Sequence, residues 1–455
     1  MKQYDAVIIG FGKGGKTLAY DLGKQGKSVA IIEKSPKMYG GTCPNVGCVP
    51  TKFLVERARD ASRRNFSGFD ERRAFYRKAI EDKNALTAGM RGANYHKLAD
   101  LATVDVITGT ARFIAPRELE VQCLGEVVRV RGRQIFLDTG SKAVIPAIAG
   151  ADGKGVYTSE TMLDEAILPE RLVIVGGGYI GLEFASFYAL FGTKVTVLSH
   201  SSLFLPRDEP EIAAEVKSVL ESAGVAFEFG ADVSAIEDRG AYRTVRFKRD
   251  GREYACEGDA VLLATGRKPN VEELNLNAAG VELLPDGSVK VDEAMRTTAP
   301  DVWAMGDVKG GPMFTYISLD DYRIVKSSLE GGTKTAKNRG AVPYCVFIRP
   351  AYSRIGMTES EARAAGYEVA VGLTACAGFP KAKVLEETRG LLKAVIDRPT
   401  GKILGCSLLC AESFELINLI KLAMDAGLPY TVLRDMIFTH PTMAEGLNDL
   451  FSAVR

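Results

Sequence analysis

Apolar residues in this chain recur in short β-branched runs, and one order of elements occurs twice. Ala6-Val7-Ile8-Ile9 leads into glycines, then a stretch of helical character, then a second apolar run at Val29-Ala30-Ile31-Ile32. Leu172-Val173-Ile174-Val175 opens the same order again, which ends on Val195-Thr196-Val197-Leu198. Short apolar runs bounded by glycine read as buried strands, so each segment predicts a βαβ unit and the two together an internal duplication. Between them, residues 53–100 are helical in composition and rich in both charge signs, which predicts a solvated helical hairpin. Residues 104–114 and 127–137 read as strands. After residue 270 the pattern is one of short strands and turns up to about residue 329. Residues 331–340, polar with lysine and glycine, read as a linker. From residue 342 a new α+β unit runs to the C-terminus, with its last helical segments at 413–426 and 431–436.

The chain is too long, at 455 residues, for one ordinary core. The expected division is 1–150, 151–270, 271–340 and 341–455. The expected fold class is α/β, with two Rossmann-like dinucleotide-binding domains and a C-terminal α+β domain. Lysine plus arginine (58) and aspartate plus glutamate (57) leave a net charge of +1. That balance supplies no field to hold nucleic acid or an anionic membrane, so neither is an expected partner. The first apolar run leads straight into Gly10 and reads as a strand rather than a secretory leader, and no apolar stretch approaches the roughly 20 residues that span a bilayer. A cytoplasmic protein is expected. Eight cysteines in a chain this long are not a disulfide framework, and a close pair in a reducing compartment points to catalysis or metal binding.

The glycines carry the first chemistry. Gly10, Gly12 and Gly15 follow a strand and open a helix, a turn whose amides can meet a pyrophosphate; Glu33 ends the next strand, where a carboxylate can accept from ribose hydroxyls. Gly176, Gly178 and Gly181 repeat the device. Two dinucleotide sites in one chain are what electron relay between a nicotinamide and a flavin requires, so FAD and either NADPH or NADH are the expected cofactors. Gly15 to Glu33 is 18 residues, and so is Gly181 to Ser199. Ser199 therefore stands where the first unit has its acid. Without that carboxylate a 2′-phosphate is not repelled, and Ser199, His200 and Ser201 could hydrogen-bond one, although Arg207 is the nearest arginine. The balance leans to NADPH, with use of both nucleotides open.

Gly41-Thr42-Cys43-Pro44-Asn45-Val46-Gly47-Cys48-Val49-Pro50-Thr51-Lys52 carries the second. Pro50 suits a first helical turn, which puts Cys48 near a helix N-terminus where a thiolate is stabilised. No metal site is expected: the chain has three histidines, and no second cysteine pair has ligand spacing that would close a tetrahedron. Cys123, Cys256, Cys345, Cys376, Cys406 and Cys410 lie in apolar runs and read as buried.

The stretch from Gly41 to Lys52 resembles the signature of the class I pyridine nucleotide-disulfide oxidoreductases, which include glutathione reductase, dihydrolipoamide dehydrogenase and mercuric reductase. The resemblance covers essentially the whole chain and continues at Ala264–Asn270, which contains Gly266, and at Trp303–Val308. It implies a glutathione-reductase-like fold with FAD and a redox-active Cys43–Cys48 disulfide. It implies that Gly41, Thr42 and Gly266 border the cofactors, that Asp307 holds the ribityl chain, and that Lys52 pairs with Glu183 beside the flavin. His440 and Glu445 have the make-up of an acid–base pair. By the resemblance they come from the partner subunit and serve the outer cysteine, which implies a homodimer with a shared active site and a dimerising C-terminal domain. Residues 311–323, 437–441 and 447–451 resemble the RclA-type reductases of reactive-chlorine resistance. That implies a small-molecule oxidant such as hypothiocyanous acid, or Cu(II) or Hg(II), as acceptor in oxidative-stress defence. A dihydrolipoamide dehydrogenase and a flavin-based redox sensor are the alternatives, because the residues themselves reveal the relay and not the acceptor.

Overall fold

The computed structural model describes residues 1–455. β1 (Lys2–Ile9), α1 (Lys13–Lys24) and β2 (Val29–Glu33) form the first βαβ unit, with β1 and β2 parallel from Ala6 opposite Val29 to Ile9 opposite Ile32. The chain then makes α2 (Thr42–Val46), α3 (Cys48–Ser62) and α4 (Phe69–Ala99) before returning as β3 (Val104–Thr108), parallel to β2. The expected helical hairpin is α3 and α4, but one face of it is not solvated. Leu54, Ala58, Tyr76 and Ile80 enter a common core with Phe184 and Tyr188, and the buried Lys83 ammonium donates to Leu163 O at 2.6 Å. β4 (Thr110–Ala115), β5 (Glu118–Gln122) and β6 (Val127–Leu137) follow as an antiparallel run whose last strand pairs parallel with β1. The predicted strand at 104–114 is thus two, broken at Gly109, and β5 is additional to the expectation.

β7 (Ser141–Ala143), β8 (Val156–Thr158) and α5 (Ser159–Met162) lead to the second βαβ unit: β9 (Arg171–Val175), α6 (Tyr179–Phe191) and β10 (Lys194–Ser199). α7 (Pro210–Ser222) and β11 (Val225–Phe229) extend it, and β12 (Asp232–Asp238), β13 (Arg243–Arg249) and β14 (Arg252–Gly258) form a separate antiparallel sheet. β15 (Ala260–Leu263) closes a five-stranded sheet of order β11-β10-β9-β15-β8. β16 (Arg267–Pro269) pairs with β7, and β17 (Val302–Ala304) pairs with β6, so residues 271–340 return to the first sheet. There Trp303 stacks on Phe136 at 5.1 Å between centroids.

The segment expected to hold only strands and turns up to residue 329 ends instead in a helix, α8 (Thr315–Leu329). Its inward face is Ile317, Ser318, Asp321, Ile324 and Val325. Two of those five are polar, which hides the helical period from an apolar count. β18 (Tyr344–Val346), β19 (Tyr352–Gly356), α9 (Glu359–Ala364), β20 (Val369–Ala375), α10 (Pro380–Leu385), β21 (Leu391–Asp397) and β22 (Ile403–Leu409) complete a five-stranded antiparallel sheet of order β18-β19-β22-β21-β20. α11 (Ser413–Asp425), α12 (Tyr430–Asp435) and α13 (Gly446–Ser452) follow, the last beyond the two helices expected. No helix is long and apolar enough to cross a membrane. Of the six cysteines expected inside, Cys376, Cys406 and Cys410 are buried, whereas Cys123, Cys256 and Cys345 are partly exposed.

Candidate functional site

Two glycines bring the first motif loops together. A Cβ on Gly10, at φ +104°, would stand 2.2 Å from Asp138 O, so only glycine lets β1 turn this close to the end of β6. A Cβ on Gly41, at φ +79°, would stand 2.7 Å from Gly12 Cα. The loop carrying the cysteine motif therefore lies backbone to backbone on the first glycine loop. Both loops border one cavity of about 1180 Å³, whose lining also includes Glu33, Cys43, Cys48, Lys52, Glu183 and Asp307.

The donor set of this cavity fits a dinucleotide. The amides of Gly12, Lys13 and Thr42 lack a backbone acceptor at the starts of α1 and α2, and α1 has no acidic residue in its first turn. That is an anion site in the making. Gly15 donates its amide to Asp138 at 2.7 Å, and burial pushes that carboxyl well above the usual carboxylate range. Glu33, at the end of β2, accepts from the amides of Phe11 (3.1 Å) and Ser35 (3.2 Å), which aim it along the glycine loop. Asp307 accepts from the Ser141 hydroxyl at 2.6 Å, and Ser141 in turn accepts from Arg267 at 2.8 Å. Gly266 forms the turn between β15 and β16, where its carbonyl accepts from Val144 at 3.0 Å. Asp307 and Glu33 could hold polyol or ribose hydroxyls, and the α1 terminus a pyrophosphate.

Cys43 sits in the first turn of α2, and Cys48 is the first residue of α3. Both are free thiols; Cys48 is open to the cavity and Cys43 is half-buried. The two thiols act on one another in opposite directions. Cys43 pulls Cys48 down, assisted by the Thr315 hydroxyl 3.4 Å away and by the Lys52 ammonium, against burial and Glu183. Cys48, with burial, pushes Cys43 up. The site thus favours ionisation at Cys48 over Cys43. Lys52, one turn along α3, makes a two-pronged bond to Glu183 of α6 at 2.7 and 2.9 Å. Glu183 also accepts from the Phe347 amide at 2.9 Å, and the ammonium lies 4.5 Å from the Phe347 ring centroid. This ion pair ties three distant segments together at one wall of the cavity.

The second glycine loop repeats the first. Gly176, Gly178 and Gly181 join β9 to α6, and Ser199 ends β10 as Glu33 ends β2. Ser199 is buried, with its Oγ 2.9 Å from where a Cβ on Gly177 would stand. His200 beyond it is exposed. In His440 and Glu445, Nδ1 lies 2.8 Å from the carboxylate, whose acidity is increased by that bond. The imidazole is 65% exposed and does not line the cavity that holds the cysteines of the same chain. Thr315, Lys16 and Asp138 belong to this site, yet no local motif marks them, because their partners are far away in sequence.

Residues 4–321 match the family model described as pyridine nucleotide-disulphide oxidoreductase, and residues 342–451 match that family's dimerisation domain. The chain belongs to the pyridine nucleotide-disulphide oxidoreductases. It is 46% identical over 457 aligned residues, the whole of both chains, to the probable pyridine nucleotide-disulfide oxidoreductase RclA of Escherichia coli (strain K12). It is 32% identical over 449 residues to a mercuric reductase of Bacillus cereus, covering 98% of this chain and 70% of that one. A solved structure, the Cu(II) complex of the HOCl-induced flavoprotein disulfide reductase RclA from Escherichia coli, superposes with a TM-score of 0.93 at 46% identity over all of both chains. The fold is accordingly glutathione-reductase-like, the protein is an oxidoreductase, and a flavin and a pyridine nucleotide are its cofactors.

Proposed function

We propose that this chain is an FAD-dependent NAD(P)H oxidoreductase whose Cys43–Cys48 pair reduces a thiol-reactive oxidant of the reactive-chlorine group, with hypothiocyanous acid as the representative. Metal ions such as Cu(II) or Hg(II) are the competing acceptors. The observation that carries the reading is the single cavity in which Cys43 and Cys48 stand beside the Lys52–Glu183 ion pair and the first glycine loop. In this scheme residues 1–150 and 271–340 hold FAD, 151–270 the nicotinamide nucleotide, and 341–455 the dimer contact. When bound, FAD supplies the two-electron link between the nucleotide and the cysteine pair. Lys52, held in place by Glu183, favours Cys48 as the thiolate on the cofactor side. Cys43 loses its proton to His440 of the partner subunit and attacks the electrophilic sulfur of hypothiocyanous acid. The leaving hydroxide takes that proton as water. Cys48 then displaces thiocyanate from Cys43, which restores the disulfide.

The likeness, over the whole of both chains, to the flavoprotein disulfide reductase RclA of E. coli, which is HOCl-induced, supports this acceptor class. The test is steady-state oxidation of NADPH and NADH by the holoenzyme with hypothiocyanous acid, Cu(II), Hg(II), oxidised glutathione and lipoamide. The highest kcat/KM should fall to hypothiocyanous acid; fastest turnover of lipoamide would instead make the protein a dihydrolipoamide dehydrogenase. Ser199 carries the nucleotide preference. Ser199→Glu places a carboxylate against a 2′-phosphate and should shift the NADPH to NADH ratio of kcat/KM by at least about tenfold toward NADH, since juxtaposed like charges cost several kcal/mol. An unchanged ratio would remove Ser199 from that role.

A further inference from the structure

Lys16 lies one turn into α1, a helix whose first turn already carries Lys13 and no acidic residue. Its side chain leaves the helix toward the cysteine loop. The ammonium donates to Asn94 Oδ1 at 2.6 Å and to Gly40 O at 3.4 Å. Both acceptors are neutral, and no carboxylate lies within the 4.0 Å of an ion pair. Asn94 is fixed in turn by donating to Met90 O at 2.7 Å. Gly40 opens the loop that runs through Gly41 and Thr42 into Cys43, so the cation is anchored to the backbone that carries the outer thiol. A half-buried cation left without a carboxylate is costly unless an anion forms nearby.

We propose that Lys16 is a positioning residue whose ammonium is the counter-ion of the Cys43 thiolate, as Lys52 is for Cys48. This rests on the reading above, in which Cys43 is the attacking sulfur. The charges around both groups agree with it. Lys16 faces Lys13 on its own helix, Lys97 on α4, Asp138 at the end of β6, and Cys43. Burial first, then Lys13, lowers it to about 8, while Cys43 and Asp138 pull it up. Cys43 faces Cys48, Thr315 and Lys16, and among these Cys48 raises it while Thr315 and Lys16 oppose the rise. Of these groups only Lys16 carries a positive charge toward Cys43.

The test reads the Cys43 thiol directly. In reduced holoenzyme carrying Cys48→Ser, alkylation of Cys43 by iodoacetamide is followed against pH, with the modified peptide quantified by mass spectrometry. Adding Lys16→Met should raise the midpoint by about one pH unit, the lower end of what a neighbouring opposite charge supplies. Lys16→Arg should bring it back. An unmoved midpoint in Lys16→Met overturns the proposal. Should that variant lose flavin, Asn94→Asp decides: it is nearly isosteric and gives Lys16 a competing carboxylate, so the midpoint should again rise, and an unmoved one overturns the proposal. No electron acceptor enters this assay. A flat alkylation profile therefore leaves the acceptor assignment standing, and a failed acceptor screen leaves Lys16 standing.

Discussion

Cys43→Ser should abolish acceptor-dependent oxidation of NADPH, with a loss on the order of 10³-fold or more for a lost nucleophile. A serine hydroxyl does not ionise near neutrality and cannot close a disulfide with Cys48. Yet the flavin side of the site is untouched by the change. Cys48 keeps Thr315 at 3.4 Å, and Lys52 keeps its two bonds to Glu183. Reduction of the bound flavin in a single anaerobic mixing with NADPH should therefore proceed at the parent rate. The two readouts separate because Cys43 and Cys48 have different work. A Cys43→Ser enzyme with full turnover would mean that the acceptor takes electrons from the flavin itself, and the relay through the pair would be wrong. Loss of both rates would instead mark Cys43 as structural.

What could be read from the sequence follows from how local each feature is. The glycine loops at Gly10 and Gly176 announce themselves because strand, turn and helix are contiguous. Cys43, Cys48 and Lys52 share one loop and its helix, so their spacing alone fixes their order along the cavity wall. Glu183 is legible only through resemblance to a family, since 131 residues separate it from Lys52. Thr315 has no local signal at all. It lies 267 residues from Cys48 and begins α8, whose buried Asp321 is paired with Arg339 and Lys309. A charged residue on an inward face breaks the apolar period by which helices are recognised. Lys16 is hidden for a related reason. It looks like an ordinary surface lysine in a glycine motif until Asn94, 78 residues on, closes over it. The 53–100 hairpin looked solvated because Lys83 counts as polar, although its ammonium is buried on Leu163 O.

The placement of His440 gives the sharpest test of how the site is assembled. The imidazole is oriented by Glu445 at 2.8 Å and lies open on the C-terminal domain, outside the cavity of its own chain. His440→Ala should therefore slow acceptor turnover by roughly 10²- to 10⁴-fold, the range for a lost acid–base group. On its own, that loss would not reveal which subunit's cysteine it serves. Co-expression with Cys43→Ser does. If each site takes Cys43 from one chain and His440 from the other, a mixed dimer holds one site with both residues intact and one with neither. Random pairing of the two inactive chains should then restore roughly a quarter of parent activity, because half the dimers are mixed and each has one working site of two. If His440 serves its own chain, every site lacks one residue and nothing returns. Purifying the mixed dimer through two different tags raises the expected recovery to about half per dimer. The same purified species should show one titratable outer thiol instead of two.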